Sequence, residues 1–242
     1  MISICLPSRG RPELAKRMVK TARETVSDGK NIEFLFYLND DDPTLEKYKE
    51  LLDEKLYEVG PNQSTCLSWN QLALKAKGDI VMLAGDDIQF QTEHWDKEVE
   101  KVFDRYPDKI CMVVPWDCNG KGKGYQHKDK TQPVEIGDES IGAPHFFLHK
   151  NWIRTLGYFA PPFFWHWYVD SYTQKVSRKL NRCILLPHVK VKAKKVFDDT
   201  ATMVRKNLNV NKRDDFVWTM VRDRHLQADV DELKKFIDSF QK

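Results

Sequence analysis

The stretch that decides the fold is a short apolar run followed by two carboxylates, at residues 78–87 (GDIVMLAGDD). Ile80 to Leu83 predict a buried strand, and Gly78 ends the helical pattern before it. This strand delivers Asp86 and Asp87 to the loop that follows. Neighbouring carboxylates repel one another when ionised, and a divalent cation such as Mg²⁺ or Mn²⁺ relieves that repulsion. The pair also suits a plain solvated loop, so by itself it indicates a metal site only weakly.

Apolar runs and helical patterns alternate on both sides of this stretch. Further strands are predicted at 2–6, 32–37 and 110–114, and helices at 12–25, 43–53, 64–77 and 92–106. This alternation predicts an α/β fold, in which helices flank a mainly parallel sheet. Ligands of such sheets bind beyond the carboxyl ends of the strands. Polar clusters fall at those ends, at residues 8–9, 39–42 and 86–87.

The composition is that of a globular protein. Of 242 residues, 41% are hydrophobic and 12% aromatic, and the net charge is +3. These values exclude an intrinsically disordered chain and a protein that binds polyanions through overall charge alone. The five scattered cysteines form no CxxC pair, which disfavours a thiolate zinc site. With no signal peptide and no apolar run of about 18 residues, we expect no membrane span and a cytoplasmic location, the host cytoplasm for a viral protein.

The second half of the chain changes character. Residues 117–133 are rich in Gly and Lys and predict a mobile loop or lid. An aromatic cluster follows at 163–168, and a helix is predicted at 169–180. Residues 175–225 hold 14 Lys and Arg against five Asp, a local net charge of +9.

Four segments, in this order, resemble the family 2 glycosyltransferases and their relatives with the GT-A fold. They are Ser3–Arg9 with its Pro-Ser turn, Phe34–Asp42 with its acidic end, Gly60–Gln63 leading to Ser68–Ala73, and Ala76–Asp87. The match covers roughly the first 115 residues well and the rest loosely. The resemblance implies a GT-A-type, Rossmann-like sheet with a helical and basic C-terminal elaboration. It implies one domain over residues 1–242, divided into a nucleotide-sugar-binding half (1–115), an acceptor-binding half (116–225) and a C-terminal helix (226–242).

By this resemblance, the chain is expected to be an inverting enzyme that transfers a sugar from a nucleotide diphosphate, with a UDP-sugar as the favoured donor. Pro7, Ser8 and Arg9 would line the nucleoside pocket. The base or ribose would contact one of three carboxylates, Asp40, Asp41 and Asp42. Asn70 would lie near the nucleotide on the helix side.

The resemblance also implies a metal that stabilises the leaving diphosphate. Asp86 would coordinate Mn²⁺ or Mg²⁺, and Asp87 would support the metal or touch the sugar. The sequence departs from the family pattern here, because Ala84 replaces the first carboxylate of the usual Asp-X-Asp motif. The late His ligand common in the family is also missing from residues 189–195. Lysines in that segment either neutralise the diphosphate without a metal or protect a solvated edge strand.

An inverting transfer needs a general base for the acceptor hydroxyl. The family places a carboxylate at the start of a helix beyond the acceptor loop, and Asp170 is the matching residue. Asp170 could instead be a helix N-cap. His166 is the second candidate base, since the pKa of a free His lies near neutrality. The surrounding aromatic side chains either form core or stack on a sugar ring or a base.

The basic region 175–225 bears on the acceptor, since its charge attracts polyanions. Some viral transferases of this general kind modify hydroxymethylated bases in DNA, and such an enzyme would flip its target base into a pocket. A glycan or a protein acceptor remains an alternative. A non-catalytic alternative is a nucleic-acid-binding protein with a degenerate transferase fold, which Ala84 favours and Asp86, Asp87 and Asp170 oppose.

Overall fold

The computed structural model describes residues 1–118, 131–137, 142–193, 202 and 206–240. The strands of these residues are β1 (Ile2–Ser8), β2 (Ile32–Asn39), β3 (Tyr57–Gly60), β4 (Ile80–Leu83), β5 (Ile88–Phe90), β6 (Met112–Asp117), β7 (Val134–Glu135), β8 (Phe146–His149) and β9 (Cys183–Ala193). The helices are α1 (Pro12–Thr25), α2 (Leu45–Leu51), α3 (Thr65–Lys75), α4 (Trp95–Asp104), α5 (Lys150–Leu156), α6 (Val169–Lys179), α7 (Leu208–Val221) and α8 (Arg224–Ser239).

The strands form one sheet in the order β3-β2-β1-β4-β8-β6-β9-β5, with β7 beside β9. Strands β3, β2, β1 and β4 are parallel to their neighbours. Strand β8 lies antiparallel between β4 and β6, and β9 runs parallel to β6 before it pairs antiparallel with β5. The predicted α/β fold with flanking helices is confirmed. The sequence did not predict strands β3, β5, β7 and β8. It also placed a helical and basic elaboration where the eleven-residue strand β9 lies, with an edge strand at 189–195 as an alternative only.

Helices cover both faces of the sheet. Strand residues are therefore buried on both sides, which explains why the strands are continuous apolar runs in the sequence. Val81 and Leu83 point into the core shared with α3, α5, α6 and α8. Ile80 and Met82 point into the opposite core, shared with α1, α2 and α4. Because successive strand residues face opposite sides, all four residues of β4 are buried and the polar residues begin only where the strand ends.

The helix predicted to start at Thr92 begins instead at Trp95. The Thr92 hydroxyl is engaged elsewhere: it donates to the carbonyl oxygen of His188 at 3.0 Å and accepts from the amide of Lys190 at 2.9 Å. These bonds tie the segment before α4 to the second half of β9. That half, Lys190–Ala193, follows an irregularity in the β6–β9 register between Pro115 and Trp116 and runs toward the carboxyl edge of the sheet.

Among the described residues, no helix has the length and apolarity needed to cross a membrane. Most of the predicted lid, residues 119–130, lies outside the described residues. So do residues 194–201 and 203–205 of the predicted basic region.

Gly78 provides a test of the turn that leads into β4. A Cβ at this position would lie 2.5 Å from the Met1 carbonyl oxygen and 2.9 Å from the Ser3 amide nitrogen. These are backbone atoms that cannot move aside, so we expect Gly78→Ala to lower the free energy of unfolding by about 1–3 kcal/mol. Gly29→Ala is the control, because nothing lies within 4 Å of its added Cβ. Urea unfolding measures both, and equal stability of the two variants would contradict the close packing.

Candidate functional site

A cleft of about 600 Å³ lies at the carboxyl edge of the parallel strands. Its walls are formed by the ends of β1 and β4, the N-terminal end of α3, and the aromatic segment before α6. The predicted site residues that line it are Pro7, Ser8, Arg9, Asp86, Asp87, His166 and Asp170. The cleft lining does not include Asp40, Asp41 or Asn70. The fold therefore brings the predicted metal ligands, the predicted nucleoside contacts and the candidate general bases to one cavity.

Asp86 is the most constrained carboxylate of the cleft. It is buried, and its Oδ2 accepts a hydrogen bond from the Ser8 hydroxyl at 2.6 Å while its Oδ1 pairs with Arg11 Nη1 at 3.2 Å. Tyr48 joins this network through its hydroxyl, which lies 2.6 Å from Ser8 Oγ and accepts from the Arg11 amide at 2.9 Å. Burial raises the pKa of Asp86 to about 6, and the Arg11 guanidinium opposes that rise.

The acidic end of β2 organises the loop beside the cleft. Arg9 donates to the carboxylate of Asp41 and, at 3.1 Å, to its carbonyl oxygen. This hydrogen bond holds the pKa of Asp41 below its usual value. Asp42 is buried and accepts from the Gly10 amide at 2.8 Å and from the Thr44 amide and hydroxyl. Asp42 therefore ties the loop after β1 to the loop after β2, and Asp40 and Asp41 stay exposed at the rim.

Asn70 lies on α3 and bonds to the backbone across the core. Its Oδ1 accepts from the amides of Phe159 and Ala160 at 2.7 and 2.9 Å, and its Nδ2 donates to the Ala160 carbonyl at 2.7 Å. The side chain is thereby used to hold the turn after α5 against α3. The structure does not bring it into the cleft.

The opposite wall is an aromatic loop, residues 163–168, held by one buried carboxylate. Asp214 on α7 has no exposed surface and accepts from the amides of Trp165, His166 and Trp167 at 2.8, 2.8 and 2.9 Å. Trp165 is 40% exposed and lines the cleft. Phe164 is buried in the core, so the aromatic cluster divides into core members and cleft members.

Asp170 follows this loop, in the first turn of α6. The N-cap is Tyr168, so Asp170 is not the helix cap. Tyr168 has a left-handed backbone (φ 68°), a costly conformation for a bulky residue, and its ring stacks on Trp218 with centroids 5.1 Å apart. His166 is fastened through its ring, whose Nδ1 lies 2.9 Å from Thr65 Oγ1, and burial lowers its pKa.

The family resemblance implies a divalent cation. Whether the cleft can hold one depends on which of its carboxylate oxygens are not already hydrogen-bonded. Both oxygens of Asp86 already receive hydrogen bonds from the protein. Within the described part of the chain, Asp87 makes no side-chain hydrogen bond, and its carbonyl oxygen accepts from Arg17 at 3.4 Å. No cluster of three or more His, Cys, Asp or Glu suited to a metal occurs in that part. Asp87 is thus the carboxylate open to a cation, whose remaining ligands would be phosphates and water.

Sequence analysis did not single out Arg11 and His145, which both line the cleft. Arg11 follows Arg9 in the same turn, and its role depends on Asp86, which lies beyond β4 and pairs with it. His145 precedes the apolar residues of β8, and a lone polar residue at the head of a buried strand was the only available signal.

The raised pKa of Asp86 predicts a pH-dependent stability. A carboxyl with a folded pKa of about 6 and an ordinary value of 3.8 retains a proton that the unfolded chain releases. The free energy of unfolding of the wild type should therefore fall, relative to Asp86→Asn, by about 2 kcal/mol between pH 4 and pH 7. Urea unfolding across this range measures the difference. Asp41→Asn is the control and should show no such fall, because the pKa of Asp41 is lowered; parallel curves for Asp86→Asn and wild type would contradict the assignment.

Asp214→Asn tests the support of the aromatic loop. An amide group cannot accept on its nitrogen side, so at least one of three buried backbone amides loses its partner. We expect a loss of about 2 kcal/mol in the free energy of unfolding. The neighbouring exposed residue gives a matched control, and Asp215→Asn should cost less than about 1 kcal/mol. Similar melting temperatures for both variants would show that Asp214 does not carry the loop.

Comparisons with known proteins agree with this architecture. S. aureus TarS (residues 1–349) in complex with UDP-GlcNAc superposes with a TM-score of 0.62 at 15% identity, covering 83% of this chain and 60% of that one. The mannosyltransferase PcManGT from Pyrobaculum calidifontis, in complex with GDP-Man and Mn²⁺, superposes with a TM-score of 0.59 at 12% identity, covering 85% and 60%. This chain thus spans about 60% of the length of each. At these identities the likeness concerns the fold.

No curated protein sequence matches the chain. The family model of glycosyl transferase family 2 matches residues 3–173. Since this match covers well over half of the 242 residues, the chain belongs to glycosyl transferase family 2.

Proposed function

We propose that the protein transfers a sugar from a nucleotide diphosphate donor to a hydroxyl group of its acceptor, with inversion at the anomeric carbon. The observation that carries this proposal is the single cleft lined by Ser8 and Arg9, by Asp86 and Asp87, and by Asp170. The proposed residues for nucleoside binding, for phosphate binding and for general-base catalysis thereby share one cavity of about 600 Å³. Small-molecule sites are commonly of this size. Family membership and the nucleotide sugars held by the similar structures support the same reading.

The donor would lie along the β1 side of the cleft. Pro7, Ser8 and Arg9 remain the proposed nucleoside contacts, and Tyr37 and Asn62 line the same region. Asp40 and Asp41 would reach the ribose or base only from the rim, where Asp41 is paired with Arg9. The proposed contact of Asn70 with the nucleotide requires its present bonds to Phe159 and Ala160 to open, so we give it no role in donor binding. UDP is the favoured nucleotide.

The leaving diphosphate needs positive charge as the glycosidic bond breaks. Arg9 and Arg11 border the cleft, and Asp41 and Asp86 pair with their guanidinium groups in part. A divalent cation, Mn²⁺ or Mg²⁺, stabilises the charge of the diphosphate oxygens when it is bound. Asp87 would hold this cation. Asp86 is the metal ligand proposed from the sequence. It could bind the cation only if its hydrogen bonds from Ser8 and Arg11 were broken.

The acceptor would approach from the aromatic wall. Its hydroxyl oxygen forms the new bond to the anomeric carbon while the bond from that carbon to the phosphate oxygen breaks. The hydroxyl proton passes to the carboxylate of Asp170, and the bonding electron pair leaves with the nucleoside diphosphate. Trp165 and Trp167 line this part of the cleft and offer surfaces for a sugar ring.

Release of nucleoside diphosphate from a panel of UDP- and GDP-sugars, with and without Mn²⁺, tests the function. We expect slow release from one donor and a fall of about 10²–10⁴-fold in turnover for Asp170→Asn, with nucleotide affinity retained. Asp223→Asn on the exposed surface is the control and should retain full turnover. If Asp170→Asn is active and His166→Gln is inactive, the base is His166. No release from any donor would contradict the proposal.

The acceptor is tested by the same assay with hydroxymethylated duplex DNA, a glycan or a protein added. The case for DNA rests on the +9 charge of residues 175–225. Part of that charge is paired, since Arg182 contacts Asp108 and Arg213 contacts Asp214. Faster release with hydroxymethylated DNA than with unmodified DNA would identify DNA as the acceptor. Tight DNA binding without release from any donor would favour the non-catalytic nucleic-acid-binding alternative.

A further inference from the structure

We propose that Asp87 and His145 together form the protein's part of a divalent-cation site, one residue beyond the position at which the acidic motif predicts the metal. The inference rests on the proposed transfer from a nucleotide diphosphate. It adds His145, which neither the sequence motif nor the comparisons assign, and it makes Asp87 a direct ligand where the sequence proposed a supporting residue.

The first observation is an unsatisfied nitrogen. His145 heads β8, lines the cleft, and is only 9% exposed. Its Nδ1 is buried and has no hydrogen-bond partner within the described residues. Buried polar atoms are almost always paired, because leaving a hydrogen bond unmade is costly. A lone nitrogen at a cleft wall therefore indicates a ligand.

The second observation is the proximity of the His145 ring to the Asp87 carboxylate. A Cβ added to Gly85 would lie 2.9 Å from Asp87 Oδ1, 3.2 Å from His145 Cε1 and 4.0 Å from His145 Nδ1. A carboxylate oxygen and an imidazole edge thus border the same small volume. Gly85 does not have the left-handed backbone that requires glycine. A side chain at this position would crowd both groups, so glycine lets the carboxylate and the ring approach each other.

The charges around the imidazole suit a cation. The carboxylates of Asp87, Asp117 and Asp170 act electrostatically on the buried His145 ring. Arg17 contacts the carbonyl oxygen of Asp87 and leaves the carboxylate open. Two protein ligands are enough when substrate phosphates and water complete the shell. An imidazole ligand favours a transition-metal ion, so we expect Mn²⁺ to bind more tightly than Mg²⁺.

The test is Mn²⁺ binding by the full chain, followed by electron paramagnetic resonance with protein alone and with UDP or GDP present. Pulsed measurements on the wild type should detect modulation from a directly bound imidazole nitrogen. His145→Gln should abolish that modulation, and both His145→Gln and Asp87→Asn should weaken Mn²⁺ affinity by about tenfold or more. The surface variant His225→Gln is the control, with affinity expected within about twofold of wild type.

Several results would overturn the site. One is a wild-type Mn²⁺ complex without nitrogen modulation, which needs no variant and so does not depend on how His145→Gln folds. Another is loss of binding in Asp86→Asn with binding retained in His145→Gln, which would return the metal to Asp86 and leave the transfer reaction intact. Wild-type protein that binds no Mn²⁺ but releases nucleotide would also overturn the site, and it would leave the transfer reaction intact. Conversely, nitrogen-ligated Mn²⁺ without turnover of any donor would contradict the proposed function and leave the site standing.

Discussion

The carboxylate of Asp86 joins the parts of the molecule on which the cleft depends. It stands at the end of β4, and its two oxygens bind a hydroxyl from the end of β1 and a guanidinium from the start of α1. Through Tyr48 the same network reaches α2. Four elements are therefore fastened at the carboxyl edge of the sheet by one side chain. A buried carboxylate without partners is costly, so Ser8 and Arg11 are required to make its position tolerable.

A second buried carboxylate does the same for the opposite wall. The Asp214 carboxylate accepts hydrogen bonds from three consecutive backbone amides of the aromatic loop. These bonds replace the ones that a helix or strand would give to this irregular segment. The loop also bonds to α3, where the Thr65 amide donates to the Trp165 carbonyl at 2.9 Å. Asp170 emerges from this support at the start of α6. The cleft is thus bounded by two walls, each held by one buried Asp.

The parts of the fold that sequence reasoning predicted are those in which local pattern and burial agree. The predicted bounds of α1 and β4 coincide with the structure. Both are local signals: apolar residues recur at helical spacing after Pro12 in α1, and β4 is a run of four apolar residues. The strands β5, β7 and β8 are two to four residues long and exist only through pairing with β9, β4 and β6. No window of sequence contains those partners. In the same way Asn70, expected near the nucleotide, bonds to residues about 90 positions away in the chain.

The sequence by itself determined the α/β class, and it predicted the carboxyl edge as the place of the candidate site and candidate roles for Ser8, Arg9, Asp86, Asp87 and Asp170. Residues at strand ends meet at one edge whatever the details of packing, so their order along the chain is sufficient for that inference. The tertiary structure decided which of these side chains remain open. Burial and hydrogen-bond partners come from segments far apart in sequence, and they engage Asp86, tether Asn70 and bring His145 beside Asp87. The protonation and ligand-binding state of a side chain depends on those neighbours, which only the folded chain assembles.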